Sequence, residues 1–279
     1  MLLQRTPAGA LAPFVERLWY FDEGTDLARP RAARERALPT GSVNLVFRLS
    51  SEPVRVFRSI DDCVGEAFGH AVISGARSSY YVRDTARPSC SVGVHFRPGG
   101  AAALLGVPGE ELAEHHTSLE DLWGRSASIS RERLLAEPRP AARLGLLEEL
   151  LLARVGRSEP LHPAVQRALA RLDSRGACSI EALSRETGYS HRHLIALFRR
   201  AVGLTPKVYA RIRRFQRAIA RAAHARGSGW AEVALACGFC DQSHLTREFQ
   251  AFAGVSPGAY APLSADRPNH VPIHERAAR

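Results

Sequence analysis

The clearest chemical candidates in this 279-residue chain are its cysteines. Cys237 and Cys240 form a C-x-x-C pair, a spacing that enzymes of thiol-disulfide exchange use. A redox pair of this kind belongs at a strand-to-helix junction of an α/β fold, where the helix N-terminus lowers the pKa of the first thiol. The chain has five cysteines, which are odd in number and mostly far apart, so no disulfide framework is predicted.

Histidines are the second group of candidate ligands. His70 and His95 are able to meet inside a β-barrel, but no regular spacing of histidine and glutamate supports a metal site there. The adjacent residues His115 and His116 cannot both face one ligand from a helix. The sequence contains no G-x-S-x-G elbow, no P-loop and no dinucleotide fingerprint. It therefore predicts no catalytic residue, no metal and no cofactor.

Short strands must position any site in residues 1–125, the first predicted domain. The segments 43–47, 54–57, 80–82 and 91–96 are rich in β-branched and aromatic residues and are bounded by proline, glycine and serine. Strands at this spacing predict a sandwich or a small barrel, followed by one helical stretch over residues 100–123. The consecutive aromatic residues at positions 19–21 either line a pocket or, more commonly, belong to the core.

Residues 126–160 change to a helical period and are predicted to form a helical linker. Leucines recur there at helical spacing, and the pattern is interrupted at Pro138 and Pro140. One face of leucines serves equally as a dimer seam or as a surface that packs on its own domain.

Residues 263–279, at the other end of the chain, are predicted to be a disordered tail.

Residues 161–262 are predicted to be entirely helical and contain an internal repeat, in which segment 188–198 aligns with segment 238–249. The match continues beyond both segments through glycine, proline and tyrosine. The matched pairs are Gly188 and Gly238, Leu194 and Leu245, Phe198 and Phe249, Gly203 and Gly254, Pro206 and Pro257, and Tyr209 and Tyr260. A repeat of this length and order indicates two copies of one structural unit.

Each copy has the sequence pattern of a helix-turn-helix. A short helix, over 180–187 or 231–237, ends at a glycine that can adopt the positive φ of a tight turn. A polar residue then caps the second helix: Ser190 in the first copy, and Cys240 or Asp241 in the second. One long helix from Pro206 to about residue 225 joins the copies. Because the C-x-x-C pair straddles the second turn, Cys237 is predicted to be a small buried residue rather than a redox group.

The positive charge of the chain is confined to its helical half. The net charge is +10, and residues 161–279 hold 17 arginines and one lysine against eight acidic residues, whereas residues 1–160 hold 20 charges of each sign. A basic half beside a neutral half is typical of a protein in which one domain binds a polyanion. An arginine-rich genome is the simpler alternative. It explains why Lys207 is the only lysine, but not why the excess is one-sided.

Four segments of the helical half carry a specific resemblance to a known family. They are Arg214-Phe-Gln-Arg-Ala218, Val233-Ala-Leu-Ala-Cys-Gly-Phe239, Asp241-Gln-Ser-His-Leu-Thr-Arg-Glu-Phe249 and Gly254-Val-Ser-Pro257. Together they resemble the DNA-binding domain of the AraC/XylS family of bacterial transcription regulators. Segments 38–47, 93–106 and 119–123 resemble a sensor-type domain that precedes such domains. The resemblance implies an α+β protein with a mainly-β, sandwich or barrel-like sensor domain and an all-α domain with two helix-turn-helix motifs joined by a long helix.

The resemblance also implies which side chains read DNA. Each recognition helix presents outward residues to base edges in a major groove. In the first copy these residues are His191, Arg192, Ile195 and Ala196. In the second copy they are Gln242, Ser243, Thr246 and Arg247. Arg247 can bind a guanine edge and Gln242 an adenine edge, whereas the side chains of Ile195 and Ala196 can only touch a thymine methyl group.

Arginines around the linking helix and at the end of the first recognition helix are candidates for phosphate contacts. We expect these contacts from Arg199, Arg200, Arg213, Arg214 and Arg217. Arg211 and Arg221 border the same apolar stripe. The simpler alternative is that such a charged face is only hydrated, and spacing alone does not separate the two.

The sequence thus predicts a sequence-specific DNA-binding transcription regulator and not an enzyme. We expect it to bind two successive major grooves of double-stranded DNA, to sense a small molecule through its N-terminal domain, and to contact RNA polymerase if it activates transcription. A homodimer is also among the expected assemblies. The alternatives are a small-molecule-processing enzyme tethered to DNA, and a regulator whose N-terminal domain only dimerises or binds a protein. With no apolar run long enough for a membrane span or a signal peptide, we expect no membrane partner and a cytoplasmic protein.

Overall fold

The computed structural model describes residues 1–24, 32–156, 159–174, 179–224, 229–264 and 266–273. Two antiparallel sheets, built mainly from the first half of the chain, precede a helical half that contains the two repeats. The predicted α+β architecture is confirmed. Within the described residues, no helix is both long enough and apolar enough to span a membrane.

The strands of the described residues pair into two sheets, with all neighbours antiparallel. In chain order the strands are β1 (Leu2–Arg5), β2 (Val15–Asp22), β3 (Arg34–Ala37), β4 (Asn44–Arg48), β5 (Arg55–Phe57), β6 (Glu66–Ala67), β7 (Ala71–Ser74), β8 (Tyr81–Asp84), β9 (Cys90–Phe96), β10 (His116–Ser118) and β11 (His270–Ile273). The first sheet has the order β1-β2-β9-β4-β7-β10, and the second has the order β11-β3-β8-β5-β6. The four strands predicted from the sequence all occur, with ends shifted by one or two residues.

Alternation along β4 shows which face of the first sheet packs on the core. Leu45 and Phe47 are fully buried, whereas Asn44, Val46 and Arg48 are half-buried on the opposite face. The buried face joins one cluster with residues of β2, β9 and the helices that follow the sheet. Because side chains alternate sides along a strand, the half-buried face must turn toward the second sheet or solvent.

Five helices follow β9 and cover the buried face of the first sheet. They are α1 (Gly100–Leu105), α2 (Gly109–Leu112), α3 (Leu119–Trp123), α4 (Arg125–Ala136) and α5 (Pro140–Val155). The helical stretch predicted over residues 100–123 consists of three short helices with one strand between them. Pro108 separates α1 from α2, and strand β10 separates α2 from α3.

The leucine-rich helix α5 packs on its own domain. Leu144, Leu147 and Leu151 are 0–2% exposed and belong to the same core cluster as the first sheet. Pro140 stands at the first position of the helix, where its missing N–H costs nothing. This burial favours intramolecular packing over a dimer seam for the leucine face.

The helical half contains six helices in the described residues. They are α6 (Pro163–Asp173), α7 (Ile180–Thr187), α8 (His191–Val202), α9 (Pro206–His224), α10 (Trp230–Ala236) and α11 (Gln242–Ala253). The pairs α7–α8 and α10–α11 correspond to the two predicted repeats, and α9 is the long helix between them. Thr205 begins α9 by accepting a hydrogen bond from the Val208 N–H at 3.3 Å.

The two halves touch backbone to backbone at a pair of glycines. A Cβ added at Gly109 of α2 would lie 2.6 Å from the Ala201 carbonyl oxygen, and one at Gly203 would lie 2.7 Å from the Gly109 carbonyl oxygen. Gly203 also has φ +90° at the end of α8, a conformation that favours glycine. Nearby, Gln216 of α9 donates to the Pro39 carbonyl and to Asn269, both at 2.8 Å. The first repeat is therefore fixed to the β-rich half through contacts that leave no room for larger side chains.

The prediction of a disordered C-terminal tail is wrong for residues 266–273, and residues 265 and 274–279 lie outside the described part of the chain. His270–Ile273 forms strand β11 at the edge of the second sheet, antiparallel to β3. Val271 is 3% exposed, and the Tyr260 hydroxyl donates to the Pro268 carbonyl at 2.7 Å. Ladder pairing and burial thus order a segment whose composition alone suggests a tail.

A buried carboxylate secures this strand. Glu35 of β3 is 3% exposed and accepts hydrogen bonds from Arg83 and, at 2.6 Å, from the His270 ring. Arg267 lies 3.9 Å from its second oxygen. Burial would raise the pKa of Glu35, but Arg83, His270 and Arg267 outweigh it and hold the pKa well below its ordinary value.

We predict that Glu35→Gln lowers the free energy of unfolding by about 3 kcal/mol, because it leaves buried cations without their anion. Urea denaturation of the full chain measures this change. The exposed Glu132→Gln on α4 is the matched control and should stay within about 0.5 kcal/mol of wild type. The Glu35 contribution should be complete above pH 4.5 and be lost as the pH falls through the lower folded-state pKa. Equal stability of the two variants would contradict this role.

Candidate nucleic-acid interface

The first repeat forms a tight helix-turn-helix because its local signals agree. Gly188 ends α7 with φ +75°, and Ser190 caps α8 by accepting from the His193 N–H at 3.3 Å. Leu194 and Phe198 are fully buried against α6, α7 and α9. This packing fixes one face of α8 and leaves the other face to solvent.

The outward face of α8 carries the residues predicted for base readout in the first copy. His191, Arg192 and Ala196 are exposed, whereas Ile195 is half-buried. Among the described residues, Arg192 makes no ion pair or side-chain hydrogen bond. His193 differs, since its ring stacks on Tyr189 with centroids 4.9 Å apart. Arg192 is therefore free, among the described residues, to donate hydrogen bonds from this face.

The second repeat has the same design with a different cap. Gly238 makes the turn with φ +80°, and Asp241 caps α11 by accepting from the His244 N–H at 2.6 Å. This settles the two alternatives for the cap in favour of Asp241, because the Cys240 side chain makes no capping bond. Leu245, Phe249 and Phe252 are 0–1% exposed and hold α11 against α9 and α10.

The four residues predicted for base readout in the second copy lie together. Gln242, Ser243, Thr246 and Arg247 line one shallow groove on the surface of α11. The Thr246 hydroxyl donates to the Gln242 carbonyl at 2.9 Å, so it presents mainly its lone pairs outward. Arg247 is exposed, and within the described part of the chain it has no ion pair. The groove thus offers amide, hydroxyl and guanidinium groups on one surface.

The five candidate phosphate ligands divide into two groups. Arg199 and Arg200 are exposed in the last turn of α8 and have no ion pair among the described residues. Arg213 is bound to Asp173 at 2.8 Å, and Arg214 lies over the Phe239 ring at 5.6 Å. Burial, followed by the neighbouring charge of Arg213, lowers the pKa of Arg217. The α8 pair is free to bind an anion, whereas the α9 arginines already have partners or neighbours within the fold.

Sequence reasoning missed an ion pair that positions the second recognition helix. Glu248 of α11 is 8% exposed, and Arg211 of α9 donates to both of its oxygens at 2.8–3.2 Å. Arg211 also lies 5.2 Å above the Phe252 ring. The sequence feature that indicates this ion pair is Glu248 itself. It lies on the apolar face of α11, one turn from Leu245 and adjacent to Phe249. Such a position predicts a buried carboxylate that requires a cation.

The cysteine and histidine candidates are not brought together. Cys237 is buried at the end of α10 and Cys240 is exposed, and neither forms a disulfide within the described residues. Cys178 lies outside the described residues. His70 donates from Nε2 to the Ser51 carbonyl oxygen at 2.9 Å, next to the Arg48 end of β4, whereas the His95 ring pairs with Asn44 at the other end. The four residue steps from Asn44 to Arg48 span about 13 Å of strand. His70 and His95 are therefore too far apart to bind one metal ion.

Two family models match the chain. Residues 183–262 match the family described as "Helix-turn-helix domain", and residues 3–118 match the one described as "Domain of unknown function (DUF6597)". No curated protein matches the chain.

Structures of ToxT from Vibrio cholerae are similar at low identity. One at 1.65 Å resolution has 8% identity, a TM-score of 0.46, and coverage of 93% of this chain and 97% of that chain. An apo variant has 12% identity, a TM-score of 0.48, and coverage of 92% and 98%.

We predict that Glu248→Ala destabilises the chain by about 1–3 kcal/mol, because Arg211 loses its bidentate acceptor at a largely buried position. Thermal or urea unfolding measures the loss. Glu232→Ala on α10 is a control, since its contact with Arg221 is long, at 3.4 Å, and both side chains are largely exposed. If the two variants unfold alike, the Arg211–Glu248 pair does not position α11.

Proposed function

We propose that this chain, whose residues 183–262 form a helix-turn-helix domain of the AraC type, reads DNA with both of its recognition helices. The chain is a DNA-binding transcription regulator. The finer proposal is that α8 and α11 enter two successive major grooves on one side of the duplex. The observation that carries it is the pair of capped helices, each with a packed apolar face and an outward polar face. Each outward face includes an arginine that has no ion pair within the described part of the chain.

Base readout is assigned first to α11. Arg247 can donate two hydrogen bonds to the O6 and N7 atoms of guanine, and Gln242 can bind N6 and N7 of adenine. Ser243 and the lone pairs of Thr246 complete the groove. In α8, Arg192 carries the hydrogen-bonding readout, with His191 beside it at the helix N-terminus. Ile195 and Ala196 supply apolar contact, which suits a thymine methyl group. We therefore expect α11 to discriminate among bases more strongly than α8.

Phosphate binding is assigned first to Arg199 and Arg200, because their guanidinium groups are exposed and unpaired within the described residues. Arg213 contributes only if a phosphate displaces Asp173. Arg214 and Arg217 are secondary candidates for phosphate binding. Arg214 lies over the Phe239 ring, and Arg217 is partly buried beside the charge of Arg213. These contacts orient the protein without selecting a sequence.

The remaining partners belong to the same proposal. A small molecule acts on the N-terminal domain, and RNA polymerase is contacted if the protein activates transcription. A homodimer, if it forms, uses a surface other than the buried leucine face of α5.

The first experiment is a gel-shift of the full chain with the DNA upstream of its own coding sequence, against a scrambled duplex of equal length. Equal affinity for both duplexes would contradict sequence-specific regulation at that site.

We predict that Arg247→Ala weakens binding to the specific duplex by about 1–3 kcal/mol, roughly 5- to 150-fold, and has little effect on the scrambled duplex. The loss arises from the missing bidentate contact. Titrated gel-shifts of both duplexes measure it. Arg133→Ala, an exposed arginine of α4, removes the same charge far from α11 and should leave the affinity unchanged. Unchanged binding by Arg247→Ala would remove Arg247 from base readout.

We predict a steep loss of affinity with salt, because each phosphate contact releases counterions and contributes a log–log slope of about −0.9. The double variant R199A/R200A should reduce the slope by about 1–2 while leaving the preferred sequence unchanged. Fluorescence anisotropy across a salt series measures both quantities. A flat salt dependence of the wild-type protein rules out phosphate contacts of this kind.

A further inference from the structure

The end of α11 touches the β-rich half at the position that corresponds to the end of α8. Gly254 ends α11 with φ +65°, and it is the counterpart in the repeat of Gly203, which ends α8. A Cβ added at Gly254 would lie 2.5 Å from the Cε1 atom of Tyr80, in the connection between β7 and β8. Gly203 meets Gly109 of α2 in the same way. Matching glycines of the two repeats therefore both abut the β-rich half.

The two places that receive these glycines belong to one hydrogen-bonded unit. Tyr80 lies in segment 75–80 and Gly109 in segment 109–116, and we call these the paired segments. Three hydrogen bonds join them. They run from the N–H groups of Gly75, Glu114 and Ser78 to the His115 carbonyl at 3.0 Å, the Ala76 carbonyl at 3.0 Å and the Glu114 carboxylate at 2.8 Å, respectively. A single element of the β-rich half thus contacts the ends of both recognition helices.

Local geometry holds the paired segments in a fixed shape. A Cβ added at Gly75 would lie 1.6 Å from the Leu112 carbonyl oxygen, so the two backbones are in direct contact. Glu114 has φ +62°, which is uncommon for a residue with a side chain. Strand β10 then continues from this segment and pairs with β7, His116 opposite Ser74. A backbone in such a conformation persists only where its surroundings enforce it, which indicates a rigid element.

The Tyr80 ring is positioned from the side of the β-rich half. It is half-buried and packs against the core cluster of the first sheet. The guanidinium carbon of Arg36, on β3, lies 5.6 Å from the centre of the ring. Gly254 lies against the same ring, and a Cβ there would also come within 2.9 Å of the Tyr80 hydroxyl oxygen. The ring is therefore a fixed surface against which α11 ends.

Within the described residues, the buried side chains of α8 and α11 belong to two different apolar clusters. Leu194 and Phe198 of α8 pack with α6, α7 and Tyr209 of α9. Leu245 and Phe249 of α11 belong to the cluster that includes the first sheet. Since the two helices do not share one cluster, their relative position depends on α9, which contributes to both, and on what each helix touches outside its own cluster.

We propose that the paired segments set the distance and orientation of α8 relative to α11, and that Tyr80 is the positioning residue for α11. Helix α9 joins the two repeats on one side, and the paired segments link the ends of the recognition helices on the other. Two links restrict rotation of one repeat about α9 more than a single link does. The consequence for DNA, which rests on the proposed function, is that the β-rich half helps to select the spacing of the two sites that α8 and α11 bind.

The first test measures the distance between the helices without DNA. Spin labels are attached at A196C and Q250C, both exposed, in the full chain with its five native cysteines replaced by alanine. Pulsed electron paramagnetic resonance then gives the distribution of distances between the labels. We expect Tyr80→Ala to broaden this distribution about twofold or more, and Tyr80→Phe, which keeps the ring, to leave it unchanged. Equal widths with tyrosine and alanine at position 80 overturn the proposal.

A second variant tests the paired segments apart from the Tyr80 ring. Glu114→Gly removes the carboxylate that accepts from the Ser78 N–H, while glycine suits the positive φ of this position. It should therefore keep the fold and also broaden the distribution. Thermal unfolding shows whether each variant is folded, and Glu114→Gly decides the outcome if Tyr80→Ala does not fold. A folded Glu114→Gly protein with the wild-type width contradicts the proposal.

The DNA consequence is tested with duplexes in which the spacing of the two protected sites, located by footprinting, is changed by one base pair. One base pair rotates the second site by about 34°, so wild type should lose affinity about tenfold or more. Tyr80→Ala should lose less than about threefold. A wild-type spacing preference in Tyr80→Ala overturns the role in spacing selection. Absence of specific binding by wild type refutes the proposed function instead, because the distance measurement involves no DNA.

Discussion

The close approach of Gly109 and Gly203 is the constraint on which the arrangement of the two halves depends. Their backbones meet at distances that exclude even one additional methyl group. Gly203 is also the residue that ends the first recognition helix, so the position of α8 is set where it touches the β-rich half. The contacts of Gln216 with Pro39 and Asn269 extend this junction along α9. A change in the β-rich half at α2 therefore acts on the end of α8 without any intervening element.

The second recognition helix is connected to the β-rich half by a separate route. Phe249 of α11 contacts the Tyr260 ring, with centroids 5.5 Å apart, and the Tyr260 hydroxyl binds the Pro268 carbonyl. Arg267, the preceding residue, lies 4.5 Å above the Phe21 ring of β2. Helices α8 and α11 thus have different attachments to the β-rich half: α8 through a rigid backbone contact, and α11 through side chains that lead to the segment before β11.

Local signals allowed the helical repeats to be predicted from the sequence. Capping residues, turn glycines and the 3.6-residue period all lie within a few positions of one another, and the structure places α7, α8, α10 and α11 close to where these signals put them. Features that depend on distant partners were not predictable in this way. The Arg211–Glu248 pair joins residues 37 apart, and Glu35 meets His270 across 235 residues. The short β11 strand contains Pro272 and lies in a polar context, so only its pairing with β3 identifies it. The base and phosphate assignments remain predictions, because side-chain exposure shows which groups are free but not what they bind.

The C-terminal strand has a consequence for how the protein is made. A ribosome delivers β3 and β8 early, but β11 emerges only after both helix-turn-helix units have been synthesised. The second sheet therefore stays incomplete, with the edge of β3 unpaired and with Arg83 and Glu35 without His270, until β11 has been synthesised. Native sequence separations this large slow folding and expose edges to wrong partners in the interval. The nascent chain consequently completes its N-terminal half last, and truncation just upstream of β11 leaves the second sheet without its edge strand.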